Sequence, residues 1–305
     1  MQNHAALSTY ASLPTGREAD LRLSDGRTMS YGLYGAADGP LVVVLDGPGS
    51  RGLGRALAAT ADTVGVTLLV PDRPGFGHST AAPGHSIVDV AGDLLALTRS
   101  LGFERFGIVA QSGGTPYALA LASAARSSVL GLSFVGGIVP LNEPDALRDV
   151  RGPSRTMFTL ARRAPWLLPP LIGLVARKSR KNPEAAARAY AKDLPEADRA
   201  VLEDPTMWAI HTVTSAEAVS ATAAFAREAR LLAQPWGVDL STVTAPVAFW
   251  VGELDPTHPP VMSRRMAQRL GGAPVTVVPG AATFGMVRVF GDVLRHAAAL
   301  DQGHS

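Results

Sequence analysis

Apolar and polar positions alternate from residue 17 to 34, on both sides of Ser24-Asp25-Gly26-Arg27, and that period of two predicts a hairpin. The pattern then changes. Leu41-Val42-Val43-Val44-Leu45 is an unbroken apolar run, as expected of a strand buried on both faces. Residues 66–70 repeat it after a helical stretch over 54–64. Between 86 and 101, Ile87, Val90, Leu94, Leu97 and Leu101 recur at helical spacing. Runs at 106–110 and 129–135 predict two more strands, with a helix from 115 to 122 between them. Alternation of strand and helix stops at Pro140. The chain to about residue 243 reads as mostly helical, punctuated by prolines at 144, 153, 165, 169–170, 183, 195, 205 and 235. It resumes with a strand at 247–251, a helix at 261–270, a strand at 275–278 and a closing helix at about 284–300. This predicts the α/β class: a mostly parallel central sheet with helices on both faces, plus an inserted helical cap. Residues 1–139 and 241–305 form the expected core, and 140–240 the expected cap.

Composition narrows the function classes. At 305 residues and 47% hydrophobic, the chain suits one large domain carrying an insertion. It has no cysteine, which excludes disulfides, thiolate chemistry and Cys-based metal sites and fits a reducing, cytoplasmic setting. The first residues show no basic segment followed by an apolar one, and the greasiest window, 166–176, is too short to span a bilayer and contains Pro169-Pro170. A soluble protein with no membrane partner is expected. Net charge is +2, and the local basic cluster Arg177-Lys178-Ser179-Arg180-Lys181 lacks interleaved aromatics, so it reads as a solvated helix end rather than a nucleic-acid contact. There is no phosphate loop, no dinucleotide fingerprint and no His/Asp cluster at ligand spacing; neither metal nor organic cofactor is expected. The expected partner is a small molecule, with a homodimer left open.

The chemistry centres on Ala110-Gln111-Ser112-Gly113-Gly114, a small-x-Ser-x-small run between a predicted strand and a predicted helix. A tight strand-to-helix turn forces unusual dihedrals on Ser112 and demands small flanking residues. It lifts the hydroxyl clear of the sheet, beside the first N–H groups of the helix, which can stabilise negative charge.

Together with other segments this elbow resembles the α/β-hydrolase family over essentially the whole chain, most of all the single-cap members that include prolyl iminopeptidase-like, haloperoxidase-like and esterase proteins. Pro48-Gly49-Ser50-Arg51 is similar to that family's oxyanion loop, and Asp72-Arg73-Pro74-Gly75-Phe76-Gly77-His78-Ser79 to its D-x-P-G-x-G-x-S segment. Trp250-Val251-Gly252-Glu253-Leu254-Asp255, followed by Pro259-Pro260, resembles the strand end that supplies the triad acid, and Gln234-Pro235-Trp236 the return from cap to core. The resemblance implies Ser112 as nucleophile, Asp255 as acid, and oxyanion donors at Gly113 and Gly47.

Two positions depart from the pattern. Asp46-Gly47 stands where relatives carry His-Gly; Asp46 reads best as fixing its own turn through a side-chain bond. After the last strand, Thr283 occupies the place of the family's general-base His, and a hydroxyl cannot take a proton from Ser112 near neutral pH. Among substitutes, His296 would lie about 20 Å along the closing helix from Thr283 at ~1.5 Å per residue. His258, three residues past Asp255, is the best-placed local replacement, although the simpler reading of a loop side chain before the 261–270 helix is preferred. His211, in the expected cap, reads first as a core or solvated helix residue. Gln111 either faces the pocket or pins a neighbouring loop, and Trp208, Phe158 and Phe284 are expected pocket residues. The resulting expectation is an enzyme with an incomplete triad, acting on a small, largely apolar carbonyl or ester compound by elimination, retro-aldol, cyclisation or slow hydrolysis. The alternatives are a non-catalytic small-molecule binder on the same fold and a conventional serine esterase with a displaced His base.

Overall fold

The computed structural model describes residues 5–48 and 51–300. The expected hairpin is β1 (Arg17–Arg22) and β2 (Thr28–Gly35), antiparallel, with Leu23 and Arg27 closing a turn in which Gly26 takes φ +87°. The apolar runs form β3 (Leu41–Leu45), β4 (Thr67–Pro71), β5 (Phe106–Gln111), β6 (Val129–Val135), β7 (Val247–Gly252) and β8 (Val275–Val278). They assemble in the order β1-β2-β4-β3-β5-β6-β7-β8. Only the β1–β2 and β2–β4 pairings are antiparallel; β4 through β8 pair in parallel. A parallel sheet of this kind needs both faces covered, and the strand residues divide accordingly. Leu41, Val43, Leu45, Ile108 and Phe134 pack into one apolar cluster, whereas Val42, Val44, Val109 and Val135 pack into the other.

Helices α1 (Ala5–Ala11), α2 (Gly52–Val64), α3 (Ile87–Ser100) and α4 (Thr115–Ala125) precede or alternate with these strands. Ser86 caps α3 in a reciprocal box with Asp89, which explains why the helical pattern starts there. Helix α4 is apolar on nearly all sides and buried throughout its first eight residues, as a central helix should be. Six helices lie between β6 and β7: α5 (Gly152–Arg163), α6 (Leu168–Lys181), α7 (Pro183–Ala191), α8 (Glu196–Val201), α9 (Pro205–Ser220) and α10 (Thr222–Leu232). Prolines fall in the first turn of α5, α6, α7 and α9, where a missing N–H is harmless. α11 (Pro260–Arg269) and α12 (Phe290–Ala297) are the last helices among the described residues. The expected closing helix is thus shorter than its apolar pattern, because residues 284–289 form a 3₁₀ stretch before α12.

Two polar links tie the inserted helices to the sheet. Arg73, at the end of β4, makes a two-point ion pair with Glu228 of α10, both buried, while its other N–H groups donate to the carbonyls of Asp46 and Gly47. Asp198 of α8 accepts from the backbone N–H of Phe284 at 2.7 Å. Arg51 pairs with Asp72 and Glu18, so both arginines serve as ion-pair partners. No helix among the described residues is long and apolar enough to cross a membrane.

Candidate active site

The elbow forms as its sequence dictates. Ser112 is one of three non-glycine residues described with positive φ, here +50°, between β5 and α4. A Cβ on Gly114 would collide with the carbonyl oxygen of Leu45 in the neighbouring strand, so only glycine lets the helix begin so close to the sheet.

Asp255 follows β7. Its Oδ1 accepts from the backbone N–H groups of Thr257 and His258, each at 2.9 Å, folding residues 255–258 into a tight turn. That turn swings the His258 ring back over its own acid: Nδ1 lies 3.0 Å from Asp255 Oδ2. A carboxylate only accepts, so Nδ1 carries the proton and Nε2 is the free acceptor. Nε2 lies 2.7 Å from Ser112 Oγ. The ring packs over Gly136, where a Cβ would approach its Cγ to 3.0 Å; this glycine, φ +59°, clears the space that the imidazole fills. His258 and Asp255 are both 4% exposed.

The expectation that His258 is a plain loop side chain is therefore corrected: it bridges Ser112 and Asp255. Thr283, in the place where relatives carry the base, donates from Oγ1 to Asp255 Oδ2 at 2.9 Å, so it supports the acid without replacing the imidazole. Burial by itself would raise the Asp255 pKa, but the His258 ring, its backbone N–H and the Thr283 hydroxyl outweigh it and hold the carboxyl below its ordinary value. His296 is remote from the serine, bonded to Ser133 and set edge-on to Trp250.

On the other side of Ser112, Asp46 Oδ1 accepts from the Gly47 N–H at 2.6 Å, the self-made turn expected of it. A Cβ on Gly47 would lie 4.0 Å from Ser112 Oγ, so this glycine borders the nucleophile. Desolvation pushes the Asp46 carboxyl up, against the opposing pull of Gly47, Arg73 and His258. Of the segment likened to an oxyanion loop, Gly49 and Ser50 lie outside the described residues.

These residues open on a cavity of about 460 Å³ lined by sheet-end loops and inserted helices together. Gln111, Gly113, His211, Phe158 and Phe284 line it, as do Met157 and Phe225. Trp208, an expected pocket residue, does not: although it stands three and four residues before the lining residues His211 and Thr212, its ring packs beside Arg188 and His211. Trp166 is 70% exposed on the outer side of the inserted helices. Sequence reasoning missed Asp198, Thr212 and Tyr190, which also line the cavity. Asp198 and Thr212 are polar and Tyr190 is 45% exposed, so apolar periodicity gave no signal for any of them. The role of His258 did have a sequence signal, since an Asp followed three residues later by His is what an Asp-anchored turn can bring together.

The family profile for the alpha/beta hydrolase fold matches residues 39–286. Among solved structures, the chain is similar to epoxide hydrolase VrEH1 from Vigna radiata at 18% identity, covering 93% of this chain and 97% of that one with a TM-score of 0.67. It is similar to the enol-lactonase from Burkholderia xenovorans LB400 at 17% identity, covering 90% and 99% with a TM-score of 0.64. A thermophilic esterase from Thermogutta terrifontis shares 22% identity over 92% and 96%, with a TM-score of 0.61. No curated protein matches significantly.

Proposed function

Because the chain belongs to the alpha/beta hydrolase fold family, we propose that it is a serine hydrolase cleaving small, neutral, largely apolar esters, with the inserted helices acting as a cap. One observation carries this reading: the continuous chain Ser112 Oγ, His258 Nε2, His258 Nδ1, Asp255 Oδ2, at 2.7 and 3.0 Å. Both distances are within the reach needed for proton transfer. Ser112 attacks the ester carbonyl as His258 takes its proton. Asp255 holds the ring in the correct tautomer and stabilises the imidazolium. His258 then returns the proton to the departing alcohol, and water, activated by the same imidazole, releases the acid.

The negative charge that develops on the carbonyl oxygen falls to the N–H of Gly113, at the start of the elbow helix, and to that of Gly47. In the resting structure Asp46 holds the Gly47 donor, so the oxyanion must compete with that carboxyl for it. A raised Asp46 pKa favours the neutral form and limits the wrong-signed charge there.

The expectation of non-hydrolytic chemistry rested on a missing base. His258 removes that ground, and the neighbours above are named as hydrolytic enzymes or lactonases. The cavity's lining holds no Lys or Arg among the described residues, Glu228 is already paired with Arg73 and Asp46 is shifted toward its neutral form, so nothing in the lining offers an anionic substrate a counter-charge. Reaction with a fluorophosphonate tests the proposal. Ser112 should be labelled and p-nitrophenyl acetate hydrolysed by the wild type, with both lost in Ser112→Ala and labelling sharply slowed in His258→Ala. A wild type that binds esters but neither labels nor turns over would favour a non-catalytic binder.

A further inference from the structure

Helix α9 and helix α2 line a second, smaller chamber. Met207, Ile210, His211 and Thr214 follow one another at helical spacing and share one face of α9; Leu53, Ala56 and Leu57 do the same on α2. Between the two faces lies a cavity of about 110 Å³ whose walls are otherwise largely apolar. Asp46, Gln111, His211, Thr214, Thr283 and Phe284 line both this chamber and the cavity holding Ser112, and so mark the passage between them.

Two of these shared residues carry a buried polar atom with no partner, His211 Nε2 and Gln111 Oε1. His211 is 4% exposed and ringed by Tyr190, Trp208 and Phe284. Its other nitrogen has only a long contact, 3.4 Å, to Ser215 Oγ. Burial depresses its pKa to about 4, so the ring is neutral at physiological pH. Buried polar atoms in folded proteins are ordinarily paired, and one left open beside a cavity is an unfilled hydrogen-bonding position.

We infer that the protein reads a two-armed neutral ester: one short apolar arm fills the α2–α9 chamber, and a hydroxyl or amide group at the root of that arm donates to Gln111 Oε1 and bonds His211 Nε2 in the passage. An apolar cavity of ~150 Å³ holds a six-carbon benzene ring, so a chamber of about 110 Å³ takes an arm of about four carbons. The inference rests on the serine-hydrolase reading of Ser112, whose failure shows separately as a loss of fluorophosphonate labelling in the wild type.

Two ester series decide it, one lengthening the acyl chain on p-nitrophenol and one lengthening the alcohol of acetates. In one of the two, wild-type kcat/KM should peak near four carbons. Ala56→Phe, which fills the chamber from α2, should lower the four-carbon to two-carbon ratio at least ~10-fold, the scale of misfit in an apolar pocket. Ile210→Phe fills it from α9 and covers the case in which the first variant does not fold. In the same series a hydroxyl-bearing four-carbon arm should be preferred to the plain one. His211→Leu should abolish that preference, and His211→Gln should restore part of it. Flat chain-length profiles in both series, or unchanged ratios in labelled, folded variants, would overturn the inference.

Discussion

On the sheet side of the cavity, Ser112, His258, Asp255 and Thr283 form an unbroken hydrogen-bonded chain, with the second oxygen of Asp255 satisfied by two backbone N–H groups. On the side of the inserted helices, His211 Nε2, Thr212 Oγ1 and Asp198 Oδ2 are buried without partners, as is Gln111 Oε1 where β5 meets the cavity. The difference separates two tasks. Groups that must be aligned before reaction are locked by one another and by strand-end turns, which removes reorganisation from the chemical step. Groups without partners cost stability in the free protein, and that cost makes them sensitive to what enters the cavity.

The comparison breaks most completely at His258. His258→Ala should lower ester turnover by roughly 10⁴–10⁶, the range seen when a triad member is removed, with the fold retained by circular dichroism. A smaller loss would mean that another group takes the Ser112 proton. Next in size is the ion pair that joins the two walls. Glu228→Ala leaves the buried Arg73 guanidinium without its carboxylate and should cost about 3–5 kcal/mol in chemical denaturation. No change in the unfolding midpoint would show that the carbonyls of Asp46 and Gly47 satisfy Arg73 alone.

Thr283→Val removes one hydrogen bond to Asp255 while keeping side-chain volume. A loss in kcat of about tenfold, corresponding to ~1.4 kcal/mol, is the expected result. Thr283→His sharpens the point: in a triad lacking its base it would raise activity, whereas here it crowds an acid already engaged by His258 and should lower it. The smallest effect has the opposite sign. His211→Leu replaces an unpartnered buried ring by an apolar side chain and should stabilise the free protein by up to about 1 kcal/mol, visible as a higher Tm.

The buried acids of the two walls also predict opposite pH slopes. The Asp255 pKa is depressed in the fold, so its contribution to stability is present above its unfolded value, about 3.9, and is lost as pH falls through the lower folded value. Asp198 is raised to about 6, chiefly by burial, despite the Phe284 N–H that favours its charged form. The native state then holds the Asp198 proton more tightly than the unfolded chain, and stability falls as pH rises from about 4 to 6. Asp198→Asn should flatten that slope in denaturation measured at a series of pH values. An unchanged slope would place its origin elsewhere.

Local physics determined much of this protein from the sequence alone. Unbroken apolar runs are read as doubly buried strands whatever their neighbours, and β3 to β7 lie within a residue or two of such runs, while β8 at the sheet edge is only partly buried. The elbow was legible because a positive-φ serine between small residues is a local steric requirement, met within five consecutive positions. The segment from 284 was less so: an apolar period cannot tell a 3₁₀ stretch from an α-turn when tertiary contacts, here Asp198 on the Phe284 N–H, set the start. The partner of Ser112 was decided only in three dimensions. Nothing in the run Asp255-Pro256-Thr257-His258 says that its turn closes toward the serine; that depends on the Asp255 carboxylate catching two backbone N–H groups and on Gly136, in another strand's loop, leaving room for the ring. Tertiary structure likewise chose which side of α9 faces the chambers, putting His211 in the passage and Trp208 outside it. A buried face is a property of the helix, but what it is buried against is a property of the whole fold.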